Sequence, residues 1–105
     1  MKFLLISFLL LSSSLAFARS CENEVLEAYK LALPQNEWHS IIGKNYIFKS
    51  GENDVLLYGT KITLRYPVDT KLFLASSEHM GGFGVEAIVV DADCSVLELF
   101  NVYTE

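Results

Sequence analysis

The sequence predicts an α+β domain: one N-terminal helix packed on a curved antiparallel sheet of about four to five strands, with one disulfide. Three observations point there. An apolar period of 3.6 residues runs through the stretch after residue 20, and a period of two takes over beyond Gly43. The only two cysteines bracket most of the chain between them. Short turn-rich segments separate the later apolar runs, which favours antiparallel neighbours, because parallel strands need long crossovers.

Residues 1–18 read as a secretory signal peptide. Lys2 supplies a positive start, the run 3–11 is apolar except for Ser7, and Ala16-Phe17-Ala18 fits the small-x-small cleavage pattern. The run falls short of the roughly 20 apolar residues a membrane span needs, so no membrane attachment is expected after cleavage. Arg19-Ser20 stands before Cys21 where a lipid-attachment site has small apolar residues. The expected mature chain is 19–105, a single domain that is periplasmic or secreted. Losing Lys2 takes the net charge from -5 to -6.

In an oxidising compartment Cys21 and Cys94 are expected to form a disulfide. A chain this short buries one modest core, so such a staple supplies a large share of its stability. A zinc site is not expected, since His39 and His79 lie far from both cysteines and no short-spaced ligand pair occurs.

The first mature element places Val25, Leu26, Tyr29, Ala32 and Leu33 on one helical face. Ser20 can cap it, Glu22 and Glu24 suit its positive end, and Pro34 stops it. In the stretch 35–42, Asn36 could cap a short helical turn that Gly43 ends. Tyr46-Ile47-Phe48, the runs 55–58 and 62–66, and Leu72-Phe73-Leu74-Ala75 read as strands. Gly59 marks a bulge or bend, Pro67-Val68-Asp69-Thr70 a turn, and residues 76–84 a glycine-rich loop. The runs 85–90 and 96–103 form a closing hairpin around Asp91-Ala92-Asp93-Cys94-Ser95.

Composition excludes several classes. At 51% hydrophobic and 20% charged, the chain is neither a disordered tail nor a low-complexity linker. Eight basic residues against 13 acidic ones argue against nucleic acid as a partner, because phosphate contacts need surplus lysine and arginine. No phosphate loop, dinucleotide fingerprint or G-x-S-x-G elbow occurs, so no cofactor and no catalytic residues are assigned.

The candidate partner-binding residues are Glu78, His79, Met80 and Phe83, in the loop 76–84. Met80 and Phe83 are unusually apolar for a turn, and a loop offers them to a partner's cleft unless they tuck under the sheet. His79 or His39 could serve as a general base, and the latter stands beside Trp38 and Glu37. Asp91 and Asp93 could begin a calcium site, but turn chemistry explains them without one. Tyr46, Tyr58, Tyr66 and Tyr103 fit strand packing.

Ile88-Val89-Val90-Asp91-Ala92-Asp93-Cys94-Ser95-Val96-Leu97 resembles the closing hairpin of PepSY-type modules. Those are small exported helix-plus-sheet domains, some linked to protease inhibition. The resemblance covers ten residues, with Cys94-Ser95 where those modules carry Thr-Gly. The order of helix then sheet is also similar to cystatin-like folds, at the level of fold alone.

The expected function is non-enzymatic protein binding, as an inhibitor or immunity-type protein in the bacterial envelope. Its partner would be another protein, such as a basic toxin or hydrolase, drawn by the acidic net charge. Two alternatives stand beside it. A small-ligand carrier predicts a helix–sheet cavity lined by Tyr29, Trp38 and strand aromatics. A small hydrolase would rely on His79 or His39.

Overall fold

The computed structural model describes residues 20–105, so the expected signal peptide lies outside the described residues. The chain forms α1 (Glu22–Ala32), then β1 (Glu37–Phe48), β2 (Gly51–Leu57), β3 (Thr60–Tyr66), β4 (Thr70–His79), β5 (Gly82–Val90) and β6 (Val96–Thr104). A four-stranded antiparallel sheet runs in the order β1-β4-β5-β6, and β2-β3 is a separate hairpin. The α+β class therefore holds.

Alternation along β4 and β5 divides the core between two faces of the sheet. On one face Phe73, Ala75, Ile88 and Val90 pack with Val25 and Tyr29 of α1. On the other, Leu72, Leu74, Val85, Ala87 and Val89 pack with Val55, Leu57 and Leu64 of the hairpin. The sheet is thus a middle layer, which is why residues 85–90 are buried on both faces and read as one unbroken apolar run. Each large apolar side chain fully buried here stabilises the fold by about 1.5 to 3 kcal/mol.

The hairpin's outer face is mostly polar, with Leu56 also exposed on it. Glu52 pairs with Arg65, Asp54 pairs with Lys61 at 3.4 Å, and Thr63 donates to Asp54 at 2.7 Å. Tyr66 donates to Glu98, and Tyr58 stacks on Tyr103 at 5.3 Å between ring centres. Both contacts tie the hairpin to β6.

Two expectations are corrected. The stretch 35–42 holds no helical turn: from Glu37 it is β1, pairing with β4 from Glu37 opposite Glu78 to Phe48 opposite Thr70. Its strand alternation is hidden in the sequence by an irregularity. Glu37 and Ser40 face Glu78 and Ser76, so Trp38 and His39 together oppose one residue of β4. Nor are residues 76–84 a loop. The pairing of β4 and β5 runs on to His79 opposite Gly82, leaving a two-residue turn of Met80 and Gly81, with Gly81 at φ 82°. Gly59 shares a turn with Tyr58, both at positive φ, as a two-residue hairpin requires.

Cys21 and Cys94 are bonded, joining the start of α1 to the 91–95 turn across 73 residues of sequence. Both residues hold left-handed backbone, at φ 60° and 64°. The closed loop restricts the unfolded chain by about 4 kcal/mol in the chain-entropy model. Urea unfolding of the oxidised protein and of a Cys21→Ala/Cys94→Ala variant should differ by roughly that amount. A difference below about 1 kcal/mol would remove the disulfide from the main sources of stability.

Candidate functional site

One end of the molecule gathers the tip of the β4-β5 hairpin, the start of β1 and the residues after α1. A cleft of about 320 Å³ lies there, lined by Gln35, Glu37, Glu78, His79 and Met80. Three of the four residues expected from the sequence thus meet in one place. Gln35 and Glu37 join them through the pairing of β1 with β4, a long-range register the sequence does not reveal.

Met80 is 99% exposed at the turn. Phe83 is placed differently: it is half-buried, packs against the hairpin-side core, and lies 5.8 Å from the Tyr103 ring. Alternation from the turn sends Phe83 to the face that β2-β3 covers, which accounts for its burial. Glu37 and Glu78 are direct cross-strand partners, an arrangement that destabilises a sheet through like-charge repulsion. Among the described residues, neither side-chain carboxylate takes part in an ion pair or a hydrogen bond.

Trp38, next to Glu37, was not among the expected binding residues. It is 76% exposed and holds φ 56°. A left-handed backbone costs an L-residue about 1 to 2 kcal/mol. The extra residue in β1 turns Trp38 out and His39 in. The ring of His39 meets Tyr29 edge-on at 5.1 Å between ring centres, and its Nε2 lies 2.8 Å from the Leu33 carbonyl oxygen. The only sequence-level signal for this site was a large aromatic beside charged residues at the mouth of an ambiguous segment.

Beneath this end lies a buried polar network. Tyr29 is fully buried, and its hydroxyl donates to Glu86 Oε1 at 2.5 Å. Ser77 Oγ stands 2.8 Å from that hydroxyl, which leaves Ser77 as the donor, and Asn36 donates to Ser77 at 2.9 Å. Asn101 donates to Glu86 Oε2 at 2.6 Å. Glu86 is only 6% exposed, yet both its oxygens are satisfied. Every polar group here has a partner, so the network locks the end of α1 onto the sheet. It leaves Ser77 occupied and enclosed, while half-buried His39 is held by the Leu33 carbonyl.

Two other clusters contain ligand-type atoms. Sγ of Cys21 and Cys94 and a carboxylate oxygen of Glu24 lie within 4.8 Å of one another, but the disulfide consumes both thiolates. A second cleft, of about 410 Å³, is lined by Asp69, Asp91 and Asp93 among others. Asp91 spends Oδ1 on the backbone N–H groups of Asp93 and Ser95, at 2.9 and 3.0 Å, which is the turn chemistry expected of it.

No family model matches the chain, no curated protein matches it, and no solved structure matches it.

Burial, and then the hydrogen bond to Glu86, push the Tyr29 phenol well above its ordinary value; burial and Glu98 do the same to Tyr66. A phenol that holds its proton more tightly in the folded chain stabilises the fold fully below the unfolded value of about 10, and loses that contribution as pH rises further. Stability should therefore fall above about pH 10. Tyr29→Phe should cost about 1 to 3 kcal/mol at neutral pH, because it leaves one oxygen of buried Glu86 without its donor. It should also flatten the alkaline decline in urea midpoint. An unchanged midpoint at neutral pH would contradict the role given to the network.

Proposed function

We propose that the protein is a non-enzymatic protein-binding domain that docks through the end carrying Trp38 and Met80. Its exported, inhibitor or immunity-type role in the bacterial envelope is part of the same proposal. The observation that carries it is Trp38, a large aromatic held in left-handed backbone and left mostly in water. Such an arrangement costs the isolated fold stability and yields it almost no burial. Exposed tryptophan and methionine on a rigid frame are what protein interfaces use as anchors. The acidic net charge speeds encounter with a basic partner.

The export part rests on the N-terminal pattern of residues 1–18 and on a buried disulfide suited to an oxidising compartment. The carrier alternative receives no support from the geometry. Tyr29 is fully enclosed with its hydroxyl engaged, and Trp38 faces outward. Of the two histidines the hydrolase alternative would use, His39 packs on Tyr29 and bonds the Leu33 carbonyl, whereas His79 lines the cleft beside Glu37 and Glu78.

Capture from envelope and secreted fractions of the host and its competitors tests the reading, with wild-type and Trp38→Ala chains compared. The wild type should retain a near-stoichiometric partner. The Trp38→Ala chain should lose at least tenfold in affinity while unfolding at the same urea concentration, in line with an interface anchor worth more than about 1.4 kcal/mol. Equal retention by both chains would reject this surface as the binding site.

A further inference from the structure

The proposed binding end is acidic as well as apolar, and its register gives that charge a place. Glu37 and Glu78 face one another, and along the strands they stand between Trp38 and the tip residue Met80. Among the described residues, Lys49 pairs with Asp69 at 3.6 Å, Lys61 with Asp54 and Arg65 with Glu52, and none of these pairs involves Glu37 or Glu78. Two unfavourable features therefore sit side by side, a directly opposed pair of carboxylates and an exposed aromatic on left-handed backbone. Neither is relieved within the described residues. A cation placed between the carboxylates and an apolar wall against Trp38 and Met80 would relieve both at once.

We infer that the surface of Trp38 and Met80 docks into an apolar socket of a partner protein whose rim presents lysine or arginine side chains to Glu37 and Glu78. This rests on the protein-binding reading and adds the partner's chemistry to it. Charge complementarity selects this occupant. A second copy of the chain would bring four carboxylates together, and an anionic membrane surface would be repelled. Trp38 can also stack on an arginine or lysine of the rim, which adds a cation–π contact.

Trp38 is the only tryptophan in the chain, so its fluorescence reports on this surface alone. Caesium should quench it several-fold more efficiently than iodide at equal ionic strength. The bias should collapse in Glu37→Gln/Glu78→Gln, but persist in Glu22→Gln/Glu27→Gln, which removes the same net charge from α1. A lysine–leucine peptide should shift the emission to the blue at concentrations at least tenfold below its glutamate–leucine counterpart, and the Glu37→Gln/Glu78→Gln chain should lose that preference.

Equal quenching by the two ions, equal response to both peptides, or equal behaviour of the two double variants would overturn the inference. So would a blue shift with phosphatidylcholine vesicles, which would assign the surface to a membrane. With the captured partner the two readings separate. If its affinity falls with Trp38→Ala but not with Glu37→Gln/Glu78→Gln, the cationic rim is wrong and the binding surface stands. If it ignores Trp38→Ala, the surface itself is wrong.

Discussion

The extra residue near the start of β1 couples the buried half of this molecule to its exposed half. With Trp38 and His39 set against one residue of β4, the chain cannot keep simple alternation. His39 turns inward to Tyr29 and the end of α1, and Trp38 is left outside. In a regular strand that kept Glu37 opposite Glu78, Trp38 would turn into a core already filled by Phe73, Ala75 and Ile88, and His39 would leave the helix interface. The exposed aromatic and the seating of the helix are consequences of the same backbone irregularity.

That irregularity is held from both sides. At the start of α1 the disulfide fixes Cys21 to the closing turn. At its end Tyr29 ties to Glu86 and Ser77, Asn36 reaches Ser77, and Asn101 completes the carboxylate. The helix is therefore pinned at two points on opposite ends of a short sheet. A site carried on such a frame loses little conformational freedom on binding, which is the physical advantage of a preorganised surface. The opposed carboxylates fit this picture, since they add a directional charge to a contact that apolar area alone would leave unspecific.

Much of the fold was legible in the residues. The face of Val25, Tyr29 and Leu33 identifies the helix, and two cysteines in one short chain identify the staple. Strand alternation gives β3, and Asp91 with its acidic neighbour gives the closing turn. The segment 35–42 looks helical in the sequence because the irregularity at Trp38 and His39 breaks the two-residue period. The segment 76–84 looks like a loop in the sequence because of its serines and glycines. In fact Ser77 is a member of the polar network, and Gly84 leaves room for Glu86, whose carboxylate a Cβ there would meet at 3.3 Å. Of the candidate site, Met80 could be found from its local setting. Glu37 and Trp38 could not, because their nearness to Glu78 exists only through a register spanning some forty residues.

On this reading, the fold keeps Trp38 at the expense of its own stability. Urea unfolding of Trp38→Gly measures this directly. Glycine adopts the left-handed backbone freely, so removing a side chain that buries little should leave stability unchanged or raise it by about 1 kcal/mol. A loss of more than about 1 kcal/mol would mean that Trp38 packs into the molecule it belongs to, and the binding surface would lose its main support.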